Sequence, residues 1–303
     1  MEHPNEKKTR IAPTPSGYLH IGNCYSFAVT WLIAQQYGAK ILLRIDDLDS
    51  MRMRKEYVDD IFFTLDFAGL TPDDGPSGTE DFLKNYSQHT RLHLYARHLE
   101  TLAERNRVYA CSCSRKDLSS LCGGYSGICR DKMHPLDGQD LSWRLKTDNT
   151  AVSYTELAHG VREAFLPPEM REPVVRKKDG LPSYQLASVA DDIHFGINII
   201  VRGQDLLPST LAQQLIAASL ELSLFSKTGF FHHTIIQQHG KKISKSQNAP
   251  SVRSQFATRT DLLTSIAAMI GIDQKIASLD ELYDAAAMKK CIDSLSIVHD
   301  PNP

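Results

Sequence analysis

The sequence predicts an α/β fold built on a parallel sheet, and three observations carry that expectation. The first is the order of segments near the start: a β-like run "TRIA", a polar turn "APTPSGYLHIGN" (Ala12 to Asn23), an apolar stretch "CYSFAVTWLIAQQYG" of helical length, and a strand-like run "KILLRI". Strand, turn, helix and strand in that order make one βαβ unit. The second is the return of the same pattern later, as "INIIVRG" (Ile197–Gly203), the helical "STLAQQLIAASLEL" and the strand-like "HHTIIQ". The third is bulk composition. With 303 residues, 42% hydrophobic and 23% charged, the chain can bury a sizeable core in one large domain or two smaller ones.

Each element follows from local chemistry. The first helix runs to about Tyr37 and stops at Gly38, the residue type that tolerates the left-handed conformation just past a helix end. The carboxyl end of "KILLRI" delivers "DDLD", Asp46 to Asp49. Ligands of such sheets sit at the carboxyl ends of the strands, so the opening turn and this acidic run face one crevice. Helices are expected at about Arg54–Ala68 and Ser87–Arg105, separated by the loop "TPDDGPSG". From about Val108 to Lys178 the text becomes Cys-rich, then offers short β-like pieces ("LSWRLK", "AVSY") among prolines, and reads as an insertion. A lysine-rich loop, "GKKISKS" (Gly240–Ser246), follows the later strands, and two modest helical patterns, Asp261–Ile270 and Leu279–Ile292, close the chain. The organisation expected is 1–107 and 179–250 as two halves of a parallel-sheet domain, 108–178 as an inserted subdomain, and 251–303 as a helical tail.

Charge and targeting signals narrow the function classes. A net charge of −2 gives no global basic field to announce a nucleic-acid partner. The start "MEHPNEKKTR" lacks the apolar core of a signal peptide, and runs such as "FAVTWLIA" are too short to span a bilayer. A cytoplasmic protein with no membrane partner is expected. Four of the six cysteines lie between Cys111 and Cys129, which points to metal chemistry rather than a disulfide framework. Sulfur chemistry alone would choose Cys111, Cys113, Cys122 and Cys129 as a tetrahedral set.

"HIGN" (His20–Asn23) and "KISKS" (Lys242–Ser246) stand at opposite ends of this α/β text. Each is weak alone. In this order they resemble the two signatures of class I aminoacyl-tRNA synthetases, and "RIAPTPSGYLHIG", "LLRIDDLD", "KDGLPSYQLASVADD" and "IIVRGQDLL" resemble blocks of the glutamyl-tRNA synthetase family. The resemblance covers roughly residues 8–250 and implies a Rossmann-type parallel-sheet catalytic domain. Two features resemble one branch, the glutamyl-queuosine tRNA(Asp) synthetases. Only 57 residues follow Ser246, where full glutamyl-tRNA synthetases carry a large helical anticodon-binding region, and Cys111, Cys113, Tyr125 and Cys129 match that branch's zinc pattern C-x-C-x11-Y-x3-C. The resemblance thus chooses Tyr125 as fourth ligand where the thiols alone would choose Cys122. Both remain open, and either gives one structural zinc with no open position.

The resemblance also implies a reaction: glutamate and ATP, with Mg2+, form an adenylate, and the acyl group passes to a hydroxyl of tRNA. In that scheme His20, Gly22, Lys242 and Lys245 are the catalytic set, with His20, Gly22 and Lys245 meeting ATP. A helix N-terminus favours phosphate, and lysines can meet a triphosphate as point charges. Glutamate needs cations for two carboxylates and an anion for its ammonium. Arg10 and Arg202 are implied for the former and Asp46 for the latter, with Tyr184, Ala12 and Thr14 shaping the pocket. Three departures stand out: Asn23 replaces the family's second His, Thr14 the usual Ser, and Asp46 the Glu of "RIED". Rival readings are a shortened synthetase charging the tRNA 3′ end, and a non-catalytic paralogue that binds RNA or protein.

Overall fold

The computed structural model describes residues 6–119, 125, 127–235, 237–238, 241–242 and 250–296. Its strands and first helices are, in chain order, β1 (Lys8–Ile11), α1 (Ile21–Tyr37), β2 (Lys40–Leu43), α2 (Lys55–Ala68), β3 (Val108–Cys111), β4 (Ser142–Leu145), β5 (Val152–Glu156), β6 (Gly160–Ala164), β7 (Val174–Arg176), β8 (Ile199–Gly203), β9 (Gly229–His233), β10 (Gln237–Gln238) and β11 (Lys241–Lys242). The chain forms two compact units, one of residues 1–90, 199–205 and 230–298, the other of 91–198, 206–229 and 299–303. Among the described residues no helix is long and apolar enough to cross a membrane.

In the first unit β1 and β2 pair in parallel, Arg10 opposite Leu42, with α1 as the crossover. The helix stops where expected: Gly38 takes φ +62°, and its amide reaches the Ala34 and Gln35 carbonyls. Strand β8 packs against β1 and α1, and β9 lies beside β8. Val29, Leu32 and Ile33 of α1, Ile41 and Leu42 of β2, and Ile200 and Phe230 make the buried centre. The loop "TPDDGPSG" does more than separate two helices. The Asp74 carbonyl accepts from the Leu43 amide at 2.9 Å, and a Cβ on Gly75 (φ +111°) would stand 2.4 Å from the Leu43 carbonyl oxygen, so only glycine fits there. The C-terminal helix Arg259–Met269 packs onto α1 and α2, and Leu279–Met288 packs onto α1 and Arg259–Met269. Arg259 donates to the Asp66 and Phe67 carbonyls at the carboxyl end of α2, where a cation is favoured.

The second unit holds two β pieces. Strands β3, β4 and β7 make an antiparallel sheet, and β5 and β6 make a hairpin. Helices Leu92–Glu104, Tyr184–His194 and Leu207–Ser219 surround a core with Tyr95, Leu102, Leu186, Leu211 and Ile216.

Three boundaries differ from expectation for identifiable reasons. The helix expected from Ser87 begins at Leu92, because the Asp47 carboxylate takes the Ser87 hydroxyl and the Gln88 amide and holds 88–91 in a tighter turn. The strand expected at "HHTIIQ" lies earlier, at Gly229–His233, where Phe230 and Phe231 are both fully buried. The last helix ends at Met288 rather than Ile292, with Lys290 at φ +51° turning the chain away.

Candidate active site and metal centre

The first unit assembles most of the residues singled out in the sequence. Past the ends of β1 and β2 the parallel ladder continues: the Arg44 amide donates to the Ile11 carbonyl and the Asp46 amide to the Pro13 carbonyl, each at 2.9 Å. The turn carrying Ala12 and Thr14 therefore runs beside the acidic segment. Ala12 is half-buried and Thr14 exposed. Arg10 is buried and reaches toward β8, its Nη1 donating to the Val201 carbonyl at 3.2 Å, next to the buried Arg202. The Arg202 guanidinium lies 5.5 Å from the Phe230 ring centre.

His20 closes the turn as the N-cap of α1. Its Nδ1 accepts from the Gly22 amide at 3.1 Å, and Asn23 Oδ1 accepts from the His20 amide at 3.1 Å, a reciprocal capping box. A backbone amide only donates, so the neutral ring carries its proton on Nε2. The first turn of α1 has no acidic side chain of its own; the buried Asp60 carboxylate accepts from the Leu19 amide just before it. The Gly22 amide, a natural candidate for a phosphate contact, is already given to His20 because the cap takes it.

Asp46 is held by a neighbour that sequence reasoning did not single out. Arg44 Nε donates to Oδ1 at 2.7 Å and Nη2 to Oδ2 at 3.0 Å, with both side chains nearly buried. The signal was available: Arg44 and Asp46 are two apart in an extended segment and so share a face. Asp47 does the anchoring described above through Ser87 and Gln88 and is itself buried.

Tyr184 belongs to the second unit, at the first turn of a helix capped by the Ser183 hydroxyl, and is 44% exposed. Lys242 lies in β11, paired through its backbone with Gln237. Lys245 lies outside the described residues, as does Cys122.

The second unit gathers the cysteines. The sulfurs of Cys111, Cys113 and Cys129 lie within 4.8 Å of one another and could hold a metal ion. Cys113 and Cys129 are 3.5 Å apart, Tyr125 Oη is 3.5 Å from Cys111 Sγ, and the Cys129 amide donates to Tyr125 Oη at 3.3 Å. Burial, with its thiol neighbours, pushes Cys113 up to about 12. Burial opposes ionisation of Cys129 too, but the Ser112 amide and the Cys113 thiol outweigh it and bring Cys129 down to about 7. Arg144 of β4 completes the shell: Nε donates to Cys111 Sγ at 3.4 Å, and the guanidinium lies 3.8 Å over the Tyr125 ring. It also escaped sequence reasoning, although β4 pairs it with Tyr109, two residues before Cys111. Tyr109 Oη donates to the buried Glu172 at 2.5 Å, and Arg130 pairs with the same carboxylate.

Residues 6–294 match the family model for the catalytic domain of class I tRNA synthetases (E and Q). The chain belongs to that family. It is an aminoacyl-tRNA synthetase-like enzyme with a mixed α/β, Rossmann-type parallel-sheet catalytic fold. This synthetase is 36% identical over 82% of its length to the glutamyl-Q tRNA(Asp) synthetase of Pseudomonas putida, covering 79% of that protein. It is 32% identical to the protein of the same name from Nitratidesulfovibrio vulgaris, over 86% of each chain. Glutamate–tRNA ligase 2 of Syntrophus aciditrophicus is 29% identical over 93% of the chain, which covers 62% of that ligase. In fold it is similar to a glutamate-tRNA synthetase from Elizabethkingia anophelis, with a TM-score of 0.75 at 20% identity, spanning 92% of this chain and 65% of that one.

Proposed function

We propose that the chain activates glutamate with ATP and transfers it to the queuosine base of tRNA(Asp) in the cytoplasm. In the first step a glutamate carboxylate oxygen attacks the α-phosphorus of ATP, and the bond to pyrophosphate breaks. In the second a hydroxyl of the modified nucleoside attacks the acyl carbon, and AMP leaves. The observation that carries this reading is the placement of Arg10 near the carboxyl end of β1 and Asp46 just past the carboxyl end of the adjacent parallel strand β2, with His20 capping the N-terminus of α1. Arg10 and Arg202 offer forks to glutamate's carboxylates, Asp46 an anion to its ammonium, and His20 Nε2–H a donor to phosphate. Ala12 and Thr14 border the pocket, the family resemblance assigns Tyr184 to glutamate as well, and Lys242 and Lys245 meet the phosphate oxygens of the triphosphate, which carries Mg2+. Positioning and charge stabilisation suffice, because no covalent nucleophile is required of the protein. Names borne by relatives support the acceptor.

The inserted subdomain, 108–178, carries one structural zinc in this reading. Tetrahedral zinc with sulfur at about 2.3 Å and oxygen at about 2.0 Å separates its ligand atoms by about 3.8 Å (S to S) and about 3.5 Å (S to O). The Cys113–Cys129 and Tyr125–Cys111 separations, both 3.5 Å, fit Cys111, Cys113, Cys129 and Tyr125 as the set. The Cys129 amide and Arg144 would support the phenolate and thiolate charge from outside.

Glutamate-dependent ATP–pyrophosphate exchange without RNA tests the first step. Transfer of labelled glutamate to bulk tRNA, with and without queuosine, tests the second. Periodate pretreatment of the tRNA 3′ end separates the acceptors: transfer lost with it means charging of the 3′ end. No exchange with any of the twenty amino acids would leave a non-catalytic paralogue.

A further inference from the structure

We infer that Asp60 is a positioning residue that ties the turn carrying His20 to the chain just beyond the lysine motif. The inference rests on the adenylate reading above. Asp60 lies on α2, is 1% exposed, and uses both oxygens: Oδ2 accepts from the Leu19 amide at 2.8 Å and Oδ1 from Arg253 Nε at 3.0 Å. Leu19 immediately precedes His20, and its carbonyl accepts from the Val252 amide at 2.9 Å. Both peptide groups of Leu19 are thus committed, one to Asp60 and one to the segment that carries Arg253. The Arg253 guanidinium lies 3.7 Å over the ring of Phe63, also on α2, which sets its direction although the side chain is 45% exposed.

The chain before the lysine motif is fastened to the same helix end. His233 Nε2 stands 3.0 Å from Ser26 Oγ, and Thr234 Oγ1 stands 3.1 Å from Tyr25 Oη. Tyr25 and Ser26 belong to the second turn of α1. "KISKS" lies in sequence between these two fastenings, at 233–234 and 252–253. The described segments on either side of that motif are therefore both fastened at the start of α1, and a buried carboxylate closes the downstream link. The charge matters because a charge-assisted bond is shorter and stronger than a neutral one and holds its partners more tightly. Small misplacements of a reacting group by distant substitutions can cost about 10²-fold in rate.

Asp60→Asn is the test, since it keeps an acceptor for Leu19 and removes the charge that holds Arg253. Turnover in glutamate-dependent ATP–pyrophosphate exchange should fall about 10–100-fold, while KM for glutamate, bound by other residues, changes by less than about three-fold. Arg253→Ala, a change on a half-exposed side chain, should do the same if Asp60→Asn folds poorly. Arg253→Lys keeps the cation and should recover turnover to within about five-fold of wild type. Hydrogen exchange supplies a readout independent of activity: peptides covering 16–24 and 250–257 should both exchange faster in Asp60→Asn, and helix 184–194 should not. Wild-type turnover in Asp60→Asn, loosening confined to 16–24, or a KM for glutamate that moves with turnover would each overturn the inference. A wild-type protein that exchanges with no amino acid would overturn the adenylate reading instead, and the paired exchange peptides would still decide the coupling.

Discussion

Replacing Arg44 by methionine removes a guanidinium that holds Asp46 at two points. The contacts are 2.7 and 3.0 Å, and the two side chains are 2% and 10% exposed. Breaking a buried pair by deleting one partner costs about 3–5 kcal/mol; the partial exposure of Asp46 places this case near the lower end, about 3 kcal/mol. The carboxylate left behind loses the two-point contact that aims it at an ammonium. Arg44→Met should therefore lower kcat/KM for glutamate about 10–100-fold, mostly through KM, because the ammonium contact exists before the transition state as well as in it. Arg44→Lys, with one point of contact instead of a fork, should fall between. The ratio of glutamate to glutamine activity should stay nearly constant, because the two share the α-ammonium. Exchange rates measured against both amino acids, with a denaturant titration of each variant, supply the numbers. An unchanged KM in Arg44→Met would refute the reasoning, and a ten-fold change in the ratio would place Arg44 against the side-chain carboxylate instead.

Three further outcomes follow from the same contacts. Elemental analysis should find one zinc per chain, lost in Cys113→Ser, weakened in Tyr125→Phe and nearly intact in Cys122→Ser; the reverse pattern for the last two would establish a four-cysteine site. Asp191, fully buried, accepts from Arg91 Nε at 2.9 Å and Tyr95 Oη at 2.7 Å, so Asp191→Ala should cost about 3–5 kcal/mol in denaturant titration, and Asp191→Asn less. Burial holds His233 below its usual value, the Thr234 carbonyl and Asp205 opposing and His232 adding to the effect. The unfolded chain then binds the extra proton first, so this residue's contribution to stability falls as pH drops below about 6.5, and His233→Gln should flatten that part of a stability–pH curve.

The parallel β1–α1–β2 unit was legible because its signals are local: an apolar helix ended by Gly38, and a strand that runs into a carboxylate cluster. The three-cysteine cluster was legible by spacing. What sequence could not supply was partnership across distance. Asp47 shortens a helix forty residues away, the "TPDDGPSG" loop lies along β2, and Arg144 reaches Cys111 only because β3 and β4 pair in one register. Asp60 was invisible for the same reason, since a charged residue in a βαβ text reads as surface until its partner is known.

The two departures from the family pattern at Asn23 and Asp46 share one physical explanation. Asn23 turns its side-chain oxygen inward to the His20 amide, so that position serves the cap and offers its carbonyl to no phosphate. A shorter Asp46 would leave its carboxylate loosely aimed, yet Arg44 fixes both oxygens from behind. In each case a contact within the chain sets the geometry before any substrate arrives. The cost of orienting those groups then falls on folding rather than on the reaction, and this is the condition under which fixed charges stabilise a transition state most effectively. Glutamate would meet Asp46 as half of a neutral pair, so its ammonium is held more by direction than by net attraction. In the proposed function, selectivity for the amino acid would be left to Arg10 and Arg202, where a neutral amide would forfeit charge-assisted bonds that a carboxylate makes.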